Sequence, residues 1–191
     1  MRGPTGKPVL RLSNLGLQSP DKAVDTFYRQ ALAHAAAAGD DDAVAALTKA
    51  RVDKLHDRLA PGARGRRSTA LIQARDQDGK VVSVVGWSGD RTLDRRIVDA
   101  LAGDEVAADR MAGDAEVSAL DFIRRKGWTP IAGAANRPIC PWCQNELFDD
   151  FSASIGPARL VGPWDPTRIG SSIRKSPDGM PLVGRSQFVW D

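Results

Sequence analysis

Through the first third of the chain, apolar positions recur three and four residues apart. They then give way to near-continuous apolar runs, so helices should be followed by strands. Residues 1–19 read as an irregular, partly extended lead-in. Ser19 as N-cap and Pro20 at the first helical position open a helix. It carries Ala23, Val24, Phe27 and Ala31 at helical spacing through about His34. The alanine-rich stretch Ala31 to Ala38 also reads as helix, and Gly39 breaks the run. Asp40 to Asp42 can cap a second helix with Val44, Leu47, Val52, Leu55 and Leu59, and Pro61-Gly62 ends it.

Thr69 to Gln73 and Lys80 to Trp87 are rich in β-branched and apolar residues, and Asp78-Gly79 between them is a two-residue hairpin signal. Helical spacing returns from Thr92 to about Ala108, with Leu93, Ile97, Val98 and Leu101 on one face. Gly113 precedes a further helix, apolar at Val117, Leu120, Phe122 and Ile123, which Gly127 stops. Thr129 to Ala135 suits a buried strand, and Pro141 can start a helix carrying Leu147, Phe148 and Phe151. Ala158 to Val161 is a further short strand. Glycine, proline and polar residues dominate from Gly162 onward, with a terminal strand at Gln187 to Trp190. From residue 69 to 161 the order is β-β-α-α-β-α-β. This pattern predicts a helical segment over residues 1–62 and an α/β domain over 63–191, a mixed sheet between helices with a loop-rich tail.

The length of 191 residues and 42% hydrophobic content suit one core with an appendage. No apolar run approaches the roughly 20 residues that span a bilayer. Met1-Arg2-Gly3-Pro4 is too polar for a secretory signal, so export would use another route or a larger parent chain. The net charge of +3 is a weak pointer to nucleic acid. Local density says more. Arg64, Arg66 and Arg67, then Arg91, Arg95 and Arg96, then Arg124, Arg125 and Lys126 are each a phosphate contact or a solvated face.

Only two cysteines are present, three positions apart, which excludes a disulfide framework. Such a pair is a metal clip or a redox couple. As a clip, Cys140 and Cys143 bring two thiolates from a first helical turn, where the helix dipole favours ionised sulfur. A catalytic zinc needs a third protein ligand and keeps a fourth position for water. His34 and His56 both lie in the N-terminal helices, which turns attention to acidic residues. Asp114 begins a helix, and Glu116 follows about 200° around its axis. Asp114 can therefore reach a metal while Glu116 approaches water or substrate, moving a proton from the water to a leaving amine.

Other readings stay open. Asp114 is also an ordinary N-cap after Gly113, with Glu116 favoured by the first-turn dipole. Cys-Pro-Trp-Cys is also what a thioredoxin-like couple looks like, although here it comes late, behind a hairpin. A structural zinc clip would need two more ligands. Trp87 and Trp142 could stack on a base or fill core. Asn136 and Arg137 could meet a base edge or phosphate, or serve the loop. Trp128, Trp164 and Trp190 read as packing residues.

At these residues the chain resembles the cytidine deaminase-like superfamily, whose pattern is H-x-E followed by P-C-x-x-C. Here it runs Asp114-Ala115-Glu116, then Pro138-Ile139-Cys140-Pro141-Trp142-Cys143. Over about residues 67 to 162 it looks most like the deaminase domains of bacterial polymorphic toxins, a subgroup of which bears D-x-E. The resemblance implies a three-layer cytidine deaminase-like α/β fold and a Zn2+ held by Asp114, Cys140 and Cys143. Glu116 would be the proton shuttle, and Trp87, Asn136, Arg137 and Trp142 would meet substrate. It further implies hydrolysis of cytosine in nucleic acid, DNA in preference to RNA, by a secreted effector module. That module would act in the target-cell cytoplasm, be neutralised by an immunity protein and have no membrane partner. A deaminase of free nucleosides or nucleotides is the alternative enzyme, and a non-catalytic zinc-stabilised nucleic-acid-binding module the alternative of another class. Two features depart from the pattern. The proline stands two residues before Cys140 rather than one. Asp for His adds a third negative ligand charge, so the zinc should be a weaker Lewis acid, with low turnover or a raised pH optimum.

Overall fold

The computed structural model describes residues 20–89, 92–110, 112–140, 143, 147, 158–162 and 185–190. The expected lead-in, Trp142 and Trp164, and most of the helix after Cys140, with Phe148 and Phe151, lie outside these residues, as do residues 163–184.

Helix α1 (Pro20–Ala38) runs through the alanine stretch to the break at Gly39, as expected. Its buried stripe is Leu32, Ala35 and Ala36 with Tyr28 beside them. Val24 and Phe27, expected on the apolar face, are instead 54% and 71% exposed. The side of α1 that faces the next helix also carries Asp25, 3.2 Å from Arg51 Nη1 and 2.7 Å from Lys54 Nζ of that next helix. That helix, α2 (Asp41–His56), is capped by Asp40, whose Oδ1 accepts from the Ala43 N–H at 3.0 Å. Pro61 does not merely end the helical region. It occupies the first position of a one-turn helix, α3 (Pro61–Arg64), where its missing N–H is no loss.

Strands β1 (Thr69–Arg75) and β2 (Val81–Trp87) pair antiparallel from Thr69↔Trp87 to Arg75↔Val81. The connection is longer than the two-residue turn expected. Asp76 N–H donates to Lys80 O and Gly79 N–H to Asp76 O, with Gly79 at φ 78°. This is the three-residue hairpin in which a residue in the left-handed region forms a bulge. Asp76 selects it, because its Oδ1 accepts from both the Asp78 and Lys80 N–H groups.

The single helix expected over 92 to 108 is replaced by α4 (Arg95–Val98) and a short strand, β3 (Glu105–Ala107), parallel to β2. Asp94 caps α4 by accepting from Arg96 N–H. One turn later the chain leaves the helix, and Val98 is consequently 45% exposed. What holds β3 in the sheet is a buried ion pair. Glu105 accepts from Arg51 Nε and Nη2, both at 2.6 Å, and from Ala102 N–H at 2.7 Å.

The remaining elements, α5 (Ala115–Lys126), β4 (Thr129–Ala135), β5 (Ala158–Val161) and β6 (Gln187–Trp190), stand where the periodicity puts them. Among the described residues the sheet is mixed and six-stranded, in the order β3-β2-β1-β4-β6-β5. Alternation along the strands divides the core. Leu71, Val85 and Ala134 pack with Val52 and Leu55 of α2, whereas Ala70, Ile72 and Val84 pack with Ala119, Leu120 and Ile123 of α5. Helices thus lie on both faces of an α/β sheet, and the helices before residue 62 share the core of the strands after it.

α5 rides unusually close on β2. A Cβ added to Gly86 would fall inside the Ala115 carbonyl oxygen and 2.8 Å from the Ala119 nitrogen. Only a residue without a side chain fits beneath the first turn of α5. Gly86→Ala should therefore lift that turn and destabilise by about 1–3 kcal/mol, which a shift of the urea midpoint at constant slope would register. A substitution costing nothing would mean that α5 is not seated on Gly86.

Candidate metal centre

Both the N-terminus of α5 and the segment after β4 lie at one end of the sheet, since β2 and β4 both run antiparallel to β1 and finish there. Asp114 is the residue before the first turn of α5, with extended backbone (φ −72°, ψ 168°), yet its side chain makes no capping hydrogen bond. The carboxylate turns outward from the helix. Its Oδ2 lies 3.2 Å from the Cys140 sulfur and 3.1 Å from the Cys143 sulfur. The two sulfurs are 2.8 Å apart and belong to free cysteines, well beyond the roughly 2.05 Å of a disulfide bond. Asp114, Cys140 and Cys143 together form a group that could hold a metal ion, their ligand atoms all within 4.8 Å of one another.

Glu116 completes the cluster from inside. It is 4% exposed, and its Oε2 lies 3.6 Å from the Cys143 sulfur. Burial, with the Asp114 charge adding to it, pushes its carboxyl up to about 7 against the opposing hydrogen bonds of its own backbone N–H and Cys143. The two thiols are shifted in opposite directions. The hydrogen bond from Cys143 holds Cys140 below the usual thiol range. Cys143 is pushed far above it, first by that hydrogen bond and then by burial and the Glu116 charge. A metal ion binding here would displace the thiol protons, because its ligand is the thiolate.

The donor set fits a borderline-soft divalent ion: two sulfurs, one carboxylate oxygen and the three protein ligands that a catalytic zinc uses. Neither histidine competes for that role. His34 is exposed on α1. His56 is buried with Nε2 3.1 Å from the Arg64 carbonyl and Nδ1 3.0 Å from Thr69 Oγ1. The carbonyl can only accept, so Nε2 donates and Nδ1 accepts the hydroxyl.

The other expected site residues have other surroundings. Trp87 is 6% exposed within the core beneath α5. Asn136 Oδ1 accepts from the Thr69 N–H at 2.7 Å, extending the β1–β4 pairing by a side chain. Arg137 Nη2 donates to the Arg64 carbonyl at 2.9 Å. Trp142 lies outside the described residues. Sequence reasoning missed Ser118, whose hydroxyl accepts from Ala112 N–H at 3.0 Å. It donates toward the carbonyls of Asp114 and Trp87, at 2.9 and 3.3 Å, and so fixes the loop that delivers Asp114. Its place four residues after Asp114 on the same helix face was a readable signal.

Asp114→Ala separates ligand from cap. Loss of a genuine cap costs about 1 kcal/mol, but this carboxylate caps nothing. The variant should lose its metal in an elemental analysis while the metal-free protein unfolds within about 0.5 kcal/mol of the parent. A metal-free protein destabilised by a full cap's worth would restore the capping role.

No family model, curated protein or solved structure matches the chain.

Proposed function

We propose that the chain is a zinc-dependent hydrolase that deaminates cytosine in nucleic acid, DNA in preference to RNA, as the toxic module of a secreted bacterial effector. One observation carries the reading. A buried carboxylate, Glu116, stands against a thiol–thiol–carboxylate trio, and it reaches that place from two residues along the same helix start as Asp114. A structural clip would have no use for it. The resemblance to cytidine deaminase-like toxins, with their D-x-E and P-C-x-x-C elements and three-layer deaminase fold, assigns the same four residues the same roles.

In this reading Asp114, Cys140 and Cys143 hold the zinc, which supplies the Lewis acidity that makes water nucleophilic near neutral pH. Glu116 accepts a proton from the water adding to C4 of the base and returns one to the departing amine. Cytosine and water become uracil and ammonia. The base must leave its stack to reach so enclosed a carboxylate, which makes a single strand the easier substrate. Asp114 adds a third anionic ligand, so turnover is modest. A cell making such a toxin requires an immunity protein that covers the site, and delivery places the activity in the cytoplasm of the target cell. Among the described residues, no helix is long and apolar enough to cross a membrane.

Sequencing DNA and RNA after incubation with the purified, zinc-loaded protein tests the reading. C-to-T changes in DNA are expected. Unchanged nucleic acids with free cytidine deaminated would move the activity to nucleosides. Zinc bound with every substrate untouched would reduce the chain to a zinc-stabilised nucleic-acid-binding module.

A further inference from the structure

The described members of two of the chain's three basic clusters gather at the end of the sheet where the metal-ligating trio lies, and the third cluster does not. Arg66 and Arg67 sit beside Gly89, where β1 begins and β2 has just ended. Asp94 ties this segment to α4, since its carboxylate takes both Arg67 Nη1 at 3.4 Å and the Arg96 N–H at 2.9 Å. Arg137 joins them through the Arg64 carbonyl, three residues before Cys140. Charge is only partly neutralised here. Asp94 answers Arg67, and Asp57 stands 3.7 Å from Arg64. Arg66 and Arg96 are exposed and have no acidic partner among the described residues. The third cluster is at the far end of α5, roughly 17 Å from its start. Arg125 is held there by Asp109 and Asp121, and Lys126 lies over the Phe122 ring.

We propose that Arg66, Arg96 and Arg137 form a track for the phosphodiester backbone of a single strand, feeding a base to the trio. The proposal deepens the reading above and rests on it for its purpose. A substrate held this way is a polymer, because a free nucleoside offers no phosphate to a rim formed by separate segments. The Arg124–Lys126 cluster takes no part, because it stands at the far end of α5 from the trio.

Fluorescence anisotropy of a labelled single-stranded oligodeoxynucleotide, titrated across salt, reads this without turnover. Each phosphate contact on a single strand contributes about 0.7 to the salt slope. The double variant Arg66→Ala/Arg96→Ala should lower its magnitude by about 1.4 and weaken binding roughly tenfold or more at 0.1 M salt. Arg125→Ala/Lys126→Ala, which removes the same charge at the far end, should leave the slope unchanged. An unchanged slope in the first variant overturns the proposal, and is what a rim made for an acidic protein would give. An equal fall in both variants overturns it too, since only net charge would then matter. The result is independent of catalysis. Binding lost in the first variant from a protein that deaminates nothing would keep the track and discard the enzyme; deamination with an unchanged slope would do the reverse.

Discussion

Glu116→Gln should abolish deamination while leaving the metal in place. Glutamine has the volume of glutamate and can keep a hydrogen-bond partner beside Cys143, but it cannot take a proton from water. Positioned acid–base groups contribute about 10²- to 10⁴-fold to rate, and in the proposed mechanism one carboxylate serves both directions of transfer. The activity should therefore fall by at least about 10²-fold at unchanged zinc stoichiometry. The distinction is sharp because Glu116 is not one of the three ligand residues. A variant that kept a tenth of its activity would remove Glu116 from the proton path, and one that lost its zinc would make it a ligand.

The second large effect concerns stability. Arg51 and Glu105 have side chains only 3% and 1% exposed and meet through two short hydrogen bonds. Arg51 also donates to the Ala100 carbonyl at 2.9 Å. Arg51→Ala leaves Glu105 charged and buried without its counterion, a change that costs about 3–5 kcal/mol. That is a large share of the roughly 5–15 kcal/mol typical of a whole domain, so urea unfolding should show a strongly lowered midpoint. Arg51→Met combined with Glu105→Leu should recover much of the loss, because an apolar pair of similar volume is often neutral. If the losses of Arg51→Met and Glu105→Leu made singly simply added in the double, the two residues would not be coupled.

This ion pair also explains where sequence reasoning failed. Leu93, Ile97 and Leu101 have helical spacing, and nothing local forbids a helix running on to Ala108. The chain turns because Glu105 is claimed by Arg51, 54 positions away, and no periodicity carries a contact of that range. The same holds at α1, where Tyr28, Leu32, Ala35 and Ala36 pack with Val44 and Ala45 of α2 and leave Val24 and Phe27 outward. Elements set by local chemistry were legible: the Asp40 cap, the hairpin strands, and a strand between Gly127 and Pro138. So was the core of the site. Asp114, Glu116, Cys140 and Cys143 could be paired because each stands next to a helix start or strand end that the sequence marks. What could not be read was the reason they meet, namely the absence of a side chain at Gly86, which looks like any strand glycine until α5 is laid across it. Trp87 and Asn136 were ambiguous for a related cause: a residue at a strand end serves core or cleft according to what packs over it.

The ligand group has a consequence of another kind. Asp114 opens α5, and the cysteines follow β4, 26 and 29 positions later. An ion held between them closes a loop that contains the whole of α5 and β4, and it does so only in the folded chain. Metal then acts as a folding ligand, stabilising by about 2.7 kcal/mol when present at a hundred times its dissociation constant. Thermal unfolding should accordingly move to higher temperature with each increment of free zinc and fall back on chelation. Metal supply would then set how much of the chain stands folded at a given temperature.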